Sequence, residues 1–149
     1  MMAAMNVVEL PALLKRNPPA VDHRGELIEG LGPDFVRLRL PVLASYLSHD
    51  LPAGSGRLVL SGPVTMGFAE TAMYACVHAF YGAQVLVVTL ACNVAFFTIA
   101  GAADLTAVAR LLKRGRSVAF AEALLYSGTT DQPCAHATAT YSTQAPGKR

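Results

Sequence analysis

The sequence has no tryptophan, little charge and few cysteines over its 149 residues. Charged side chains make up 15% of the chain and hydrophobic ones 53%, which excludes a disordered protein and indicates a large buried core. A formal net charge of +2 is too small for a nucleic-acid-binding surface. The three cysteines cannot all pair within one chain and lack Cys-x-x-Cys spacing. We therefore expect reduced thiols in a cytoplasmic protein.

Signals for secretion or membrane insertion are also lacking. No Lys or Arg precedes Lys15, so a secretory signal is not expected. The uncharged stretch 85–103 approaches the roughly 20 apolar residues of a membrane span. Its β-branched residues, together with Asn93 and Gly101, favour a buried strand instead. The length fits a single domain, with residues 1–34 as a helix-and-loop extension.

Hydrophobic periodicity predicts the elements of the first half. We expect a short helix at 7–15, a half-buried strand at 35–42 and a loop at 48–57. A long helix then begins with Ser61 as its N-cap and stops at Gly82. This helix is apolar nearly all round, which is typical of a buried helix.

The second half has the composition of four antiparallel strands. They are expected at residues 85–97, 105–112, 118–126 and 134–142. Tight turns at Arg114-Gly115 and at 128–133 separate the last three. Alternate residues of the last two strands are alanine, so a helix backbone can lie closely on them. The pattern predicts an α+β fold with one long buried helix.

Glu70 is the one formally charged residue in the stretch 58–103. It lies in the middle of the long helix, one turn from Met66 and Met73. Burying an ionised carboxylate without a partner costs several kcal/mol, so a buried Glu in this position favours a functional acid. A Glu that faces solvent or caps a neighbouring chain is the alternative.

Ser61-Gly62-Pro63 is the second candidate feature. Backbone N–H groups at a helix start can polarise a thioester carbonyl and hold an oxyanion, although an ordinary helix cap has the same sequence pattern. Glu70 follows Gly62 by eight residues (70 − 62 = 8), which is about 12 Å along a helix. One chain cannot easily present both groups to one carbonyl. If they cooperate, they come from different subunits across a two-fold interface.

The segment from Ser61 to Thr71 resembles the helix-start motif of hotdog thioesterases of the phenylacetate-pathway type. In that family a His-Gly-Gly turn opens the long helix, and an Asp or Glu follows. The resemblance covers about residues 35–142, including the following strand and a basic hairpin at 113–116. It implies a hotdog fold, in which an antiparallel sheet wraps a long central helix. It also implies an acyl-CoA thioesterase that needs no cofactor beyond the CoA of its substrate.

The resemblance also implies roles for individual residues. The Gly62 N–H polarises the carbonyl, Glu70 is the nucleophile or general base, and Thr89 helps position the attacking water. Ser61 and Pro63 replace the family's His and second Gly, and Pro63 has no N–H to offer. The residues expected to bind substrate are Ser61, Pro63, Ser55 and Asn93. Those expected to bind CoA phosphates, unless they form only a solvated turn, are Lys113, Arg114 and Arg116.

Two other functions remain open at this stage. A homo-oligomer, dimeric or tetrameric, that binds acyl-CoA or another apolar ligand without cleaving it would fit the Ser61 and Pro63 replacements. A hydratase of the same fold would need a catalytic His beside a carboxylate. The histidines show neither that pattern nor metal-ligand spacing: they are His23, His49, His78 and His136.

Overall fold

A computed structural model of the chain describes residues 3–16, 25–48, 52 and 54–145. The helices are α1 (Glu9–Arg16) and α2 (Gly62–Tyr81), and a 3-10 turn lies at Ala44–Tyr46. The strands are β1 (Leu27–Leu31), β2 (Phe35–Leu40), β3 (Leu47–Ser48), β4 (Val59–Leu60), β5 (Leu86–Phe96), β6 (Leu105–Arg114), β7 (Val118–Ser127) and β8 (Ala135–Gln144).

Six strands form one antiparallel sheet in the order β1-β2-β6-β7-β8-β5, so β1 and β5 are its edges. Helix α2 packs across one face of this sheet, and β3 and β4 form a small separate pair. A long helix covered by an antiparallel sheet, with a short N-terminal helix, is the hotdog fold that the sequence predicts. The α+β prediction is confirmed.

Alanines bring α2 close to the sheet. The sheet positions that face the helix are fully buried or nearly so and include Ala107, Ala109, Ala119, Ala121, Ala123, Ala135, Ala137 and Ala139. Between these short side chains and the helix, Phe68, Met73 and Phe80 fill the remaining space. Each such side chain contributes about 1.5–3 kcal/mol when it leaves water. Eleven of the 20 residues of α2 are buried, which confirms the predicted buried helix.

Helix α1 covers the C-terminal end of α2. Its regular part begins at Glu9, two residues later than predicted. Asn6 caps the turn that leads into it, because its Oδ1 accepts hydrogen bonds from the N–H groups of Val8 and Glu9, both at 2.9 Å. Leucines at three helical positions then bury one face of α1, as the sequence predicts: Leu10, Leu13 and Leu14. The backbone N–H of Ala4 donates to the carbonyl of Ala79 and ties this extension to α2.

Three local predictions need correction. Strand β1 lies in a stretch expected to be loop. The strand is not predicted because it is short, carries Gly30 and has a register shift between Ile28 and Gly30. Ser61 occupies the N-cap position of α2, but its side chain makes no capping bond. Its carbonyl instead accepts bonds from both the N–H and the hydroxyl of Thr65. The third correction concerns β5, which is a strand as predicted but lies at the sheet edge with most side chains exposed.

Some predicted features fall wholly or partly outside the described residues. His23 and His49 lie outside them, as does part of the loop predicted at 48–57. Within the described residues, no helix has the length and hydropathy needed to cross a membrane. The three cysteines, Cys76, Cys92 and Cys134, form no disulfide.

Candidate active site

Two hydroxyl groups from the sheet hold the side chain of Glu70. This side chain leaves α2 half-buried, and its Oε1 accepts a 2.6 Å hydrogen bond from Oγ1 of Thr89 on β5. The hydroxyl of Tyr141 on β8 lies 3.2 Å from the same Oε1 and 3.2 Å from the carbonyl oxygen of Glu70. Both donors converge on one carboxylate oxygen. The other, Oε2, has no hydrogen-bond partner among the described residues.

Tyr141 remains a hydrogen-bond donor across the physiological pH range. Its side chain is fully buried, and burial, followed by the charge of Glu70, raises the pKa of its hydroxyl. A hydroxyl has one proton, so Tyr141 shares it between the carboxylate and the backbone carbonyl of Glu70. This shared contact fixes both the side chain of Glu70 and the turn of α2 that carries it.

Strand register brings these groups together. Thr89 and Tyr141 are directly opposite each other in the β5–β8 ladder, on the face that packs against α2. Along β8 the preceding residues on this face, Ala137 and Ala139, are small, so α2 approaches closely enough for Glu70 to contact both hydroxyls. The site therefore depends on the alanine-lined sheet surface as well as on the helix.

Cys92 lies on the same face of β5, opposite Ala139 in β8. Burial, followed by the charge of Glu70, raises the pKa of its thiol. The thiol is therefore neutral at physiological pH. Because the thiolate is the reactive form of cysteine, Glu70 is the stronger candidate for a reacting group at this position.

Gly62 is the first residue of α2, and its N–H has no acceptor within the helix. Pro63 follows it and offers no N–H, while Ser61 precedes it in an extended conformation (φ −57°, ψ 132°). A Cβ added to Gly62 would meet no atom within 4 Å, which places open space beside this backbone. An apolar pocket of about 350 Å³ adjoins the helix start and has Gly62 in its wall.

Within one chain, Gly62 and Glu70 lie apart. Helix α2 is continuous between them, so the separation is about 12 Å along its axis. Glu70 contacts Thr89 near the start of β5, whereas Phe96 at the end of β5 lines the pocket beside Gly62. The carboxylate of Glu70 and the N–H of Gly62 thus lie near opposite ends of β5.

Strand β5 is an exposed, uncharged sheet edge. It pairs with β8 on one side only, and its eleven residues include no Asp, Glu, Lys or Arg. Several large apolar side chains on it or just after it are at least 45% exposed: Leu86, Val88, Leu90, Phe96, Phe97 and Ile99. Proteins usually shorten, charge or cover such an edge, because it is a template for pairing with another strand.

The residues predicted to bind substrate are spread over three places. Ser61 and Pro63 flank Gly62 at the start of α2. Ser55 is exposed in the preceding loop, where its hydroxyl accepts a 3.2 Å hydrogen bond from the N–H of Arg57. Asn93 pairs with Thr138, so it belongs to the outer face of the sheet, away from Glu70. The structure does not bring Asn93 together with Glu70 and Gly62 in one chain.

The basic hairpin lies at the other end of α2. Lys113, Arg114 and Arg116 are all exposed. The guanidinium carbon of Arg114 stands 5.1 Å from the ring centroid of Tyr81, the last residue of α2. The hydroxyl of Tyr81 also donates a 2.7 Å hydrogen bond to the carbonyl of Gly115, which fixes the turn.

Neither described histidine contacts Glu70. His78 is buried in α2, where its Nδ1 donates a 3.1 Å hydrogen bond to the carbonyl of Gly82. Burial lowers the pKa of His78, although the Gly82 bond acts in the opposite direction. His136 lies on the outer face of the sheet, with its Nε2 2.9 Å from Oε2 of Glu122. Among the described residues, no three His, Cys, Asp or Glu side chains are close enough to hold a metal ion.

Sequence reasoning did not identify Tyr141 as a partner of Glu70. It places Tyr141 on the alanine face of the last strand, where it is the only large polar side chain among Ala135, Ala137 and Ala139. A tyrosine among alanines on a face that packs against the helix was the signal that could have identified it. Thr65 and Phe96, which line the pocket beside Gly62, had no comparable signal because the pocket is formed by separate parts of the chain.

Comparison with known proteins supports one family. The model of the thioesterase superfamily matches residues 59–134, just over half of the chain. A candidate thioesterase from Silicibacter sp. TM1040 is 31% identical with a TM-score of 0.82, covering 96% of this chain and 94% of that one. A comparison with curated proteins gives no significant match.

Two further solved structures share the fold at lower identity. A thioesterase from Haemophilus influenzae is 23% identical with a TM-score of 0.80, covering 100% of this chain and 99% of that one. A mutant thioesterase from Pseudomonas aeruginosa is 22% identical with a TM-score of 0.75, covering 95% and 96%. The family match and the Silicibacter relative establish the assignment: this chain belongs to the thioesterase superfamily.

Proposed function

We propose that the protein hydrolyses acyl-CoA thioesters at a site shared by two copies of the chain. The observation that carries this proposal is the environment of Glu70. Two donors hold one carboxylate oxygen, and the other is left without a partner among the described residues, beside an exposed uncharged strand. An anchored carboxylate with one free oxygen is suited to accept a proton from water or to attack a carbonyl.

The edge strand supports a dimer. Antiparallel pairing of β5 with β5 of a second copy would satisfy its free backbone groups and cover its apolar side chains. Such pairing places the start of one β5 near the end of the other. Glu70 of one protomer would then lie near the Gly62 N–H of its partner, which bridges the 12 Å separation within one chain. A tetramer of two such dimers remains a prediction.

In the proposed mechanism, the Gly62 N–H donates a hydrogen bond to the thioester carbonyl oxygen. Glu70 Oε2 takes a proton from water as the water oxygen attacks the carbonyl carbon, and the oxyanion of the tetrahedral intermediate stays bound to Gly62. The C–S bond then breaks and the proton on Glu70 passes to the leaving thiolate. The products are a carboxylic acid and CoA.

Thr89 anchors Glu70 in this mechanism and can also orient the water. Its hydroxyl donates a hydrogen bond to Glu70 Oε1, and its oxygen lone pairs remain able to accept a hydrogen bond from the attacking water. Direct attack by Glu70 would instead form an anhydride that water opens. Single turnover in H₂¹⁸O tests this route: label in Glu70 demonstrates an anhydride opened at the Glu70 carbonyl, whereas water attack on the thioester puts label in the product acid and none in Glu70.

The basic hairpin is proposed to bind the CoA phosphates. Lys113, Arg114 and Arg116 offer exposed cations, and Tyr81 holds the turn at the end of the helix that carries Glu70. The free cysteines support a reducing, cytoplasmic setting for such an enzyme.

Glu70→Gln tests this function. The change keeps the shape of the side chain and removes the base, so we expect normal folding and a fall in kcat of about 10²–10⁴-fold. Wild-type turnover by Glu70→Gln on a good substrate would refute the proposed role of Glu70.

The alternative is a protein that binds acyl-CoA without cleaving it. Pro63 favours this alternative because it removes a backbone donor at the helix start, and it predicts a rise in Tm with acyl-CoA but no release of CoA.

A further inference from the structure

The pocket beside Gly62 is built from three parts of the chain. These are the strand and helix start at 59–65, the segment 96–100 at the end of β5 and just after it, and the residue before β8, Cys134. Its floor consists of buried residues: Leu60, Thr65, Ala100 and Cys134. Its rim consists of exposed ones, chiefly Phe96, Phe97 and Ile99. The volume of about 350 Å³ is at the lower end of small-molecule sites.

Apart from the N–H of Gly62 and the hydroxyl of Thr98 on the exposed rim, the pocket wall offers little to a polar ligand. None of its lining residues is charged. The hydroxyl of Thr65, the one buried hydroxyl of the floor, already donates a 3.0 Å hydrogen bond to the carbonyl of Ser61. A charged group placed on this floor would lose its water without gaining a partner, which costs several kcal/mol. The chemistry of the wall therefore selects for hydrocarbon.

Gly62 connects this pocket to the proposed reaction. It lies in the pocket wall, and its N–H is the proposed donor to the thioester carbonyl. A carbonyl held by this N–H has its acyl carbons within reach of the pocket, while the sulfur and the CoA extend away from it. In this placement the rim contacts the acyl carbons nearest the reacting carbonyl, and the floor contacts those farther from it.

We propose that this pocket is the acyl-binding subsite and that it takes a compact, uncharged acyl group, either a medium-length aliphatic chain or a single aromatic ring. The inference rests on the proposed function, because it uses Gly62 as the carbonyl donor. Ala100 on the floor limits the depth of the pocket, and Phe96 on the rim limits its width. Carboxylated acyl groups are excluded by the absence of any cation in the wall.

The test measures kcat/KM for butyryl-, octanoyl-, benzoyl- and succinyl-CoA. Wild-type enzyme should prefer the uncharged substrates over succinyl-CoA by at least about 100-fold. Ala100→Leu fills the floor and should lower the octanoyl-to-butyryl ratio by at least about tenfold. Phe96→Ala opens the rim and should raise the benzoyl-to-butyryl ratio. Leu112→Ala, which shortens an exposed side chain on the outer face of the sheet, should leave all ratios unchanged.

A second measurement separates this inference from the hydrolytic function. Binding of S-alkyl-CoA thioethers, which cannot be hydrolysed, is measured with wild type, Ala100→Leu and Phe96→Ala. If no thioester is cleaved but the thioether affinities follow the order predicted for the substrates, the acyl-binding subsite is supported and the hydrolytic function is refuted. If thioesters are cleaved and succinyl-CoA is as good a substrate as butyryl-CoA, the subsite is wrong. The subsite is also wrong if Ala100→Leu and Phe96→Ala both keep the wild-type order of substrate preference.

Discussion

The hydroxyl of Tyr141 lies 3.2 Å from Oε1 of Glu70 and 3.2 Å from the carbonyl oxygen of the same residue. The buried phenol of Tyr141 thus contacts both the side-chain carboxylate and the backbone carbonyl of Glu70. Because burial keeps this phenol protonated, the contact persists through the pH range in which a carboxylate base operates. In the proposed mechanism, Tyr141 is a positioning residue that keeps Oε2 of Glu70 turned toward the substrate.

Tyr141→Phe should lower kcat about tenfold and leave KM unchanged, because a hydrogen bond to a charged group is worth roughly 1.5 kcal/mol. Steady-state kinetics with an uncharged acyl-CoA measures both constants. Ser142→Ala, the neighbouring change on the other face of β8, is the control and should have wild-type kinetics. An unchanged kcat for Tyr141→Phe would show that the contact does not position the carboxylate.

A charge on the edge strand should separate the protomers. Leu90 on β5 and Leu112 on β6 are equally exposed, at 58% and 57%, but only Leu90 lies on the unpaired edge. Leu90→Lys should shift the protein from dimer to monomer in analytical ultracentrifugation and reduce activity in parallel. Leu112→Lys should remain dimeric. If Leu90→Lys sediments like wild type, β5 is not the dimer interface.

His78 should make stability depend on pH. Burial lowers its pKa, and protonation would put a proton on Nε2, a buried atom without a partner among the described residues. The unfolded chain, with a pKa near 6.5, therefore binds a proton before the folded chain does as the pH falls. The free energy of unfolding should decline below about pH 6.5, by up to about 1.4 kcal/mol per pH unit.

Denaturant unfolding at several pH values checks this expectation. The slope is that of the free energy of unfolding against pH. In His78→Phe the part of this slope due to His78 should disappear, whereas His136→Gln, a change on the outer face of the sheet, should retain it. A slope in His78→Phe equal to that of wild type would assign the pH dependence to other groups.

Much of the fold can be predicted from the sequence because its periodicities are strong. Alternating alanines identify the last two strands, and the apolar helix between Ser61 and Gly82 has clear end signals. Glu70 is recognisable for an electrostatic reason, since it is the one formal charge in a long apolar stretch. Strand β1 escapes prediction because its five residues include Gly30 and it is only partly buried.

The site itself depends on register, which periodicity alone does not determine. Thr89 and Asn93 are four residues apart, and simple alternation would place them on the same face of β5. A bulge between Thr89 and Ala91 shifts the alternation, so Thr89 faces Glu70 while Asn93 faces outward. The contact of Glu70 with Tyr141 spans 71 residues of sequence, so it too depends on strand pairing.

The shared site is tested most directly by complementation between two inactive variants. Gly62→Pro removes the proposed carbonyl donor. Proline suits the first position of a helix and follows the extended Ser61, but residue 62 also precedes Pro63, so the fold of this variant is checked by circular dichroism. Gly62→Ala keeps the N–H, its Cβ meets no atom within 4 Å other than those of its chain neighbours, and it is the active control. Glu70→Gln supplies the other defect, and both variants are inactive alone if each group is essential.

Equal amounts of Gly62→Pro and Glu70→Gln are unfolded together, refolded and assayed for release of CoA. If each site takes Gly62 from one protomer and Glu70 from the other, every mixed dimer regains one intact site, and activity returns to about a quarter of wild type. If the mixture forms dimers but stays as inactive as its components, Glu70 and Gly62 do not meet across an interface, and the proposed mechanism is contradicted.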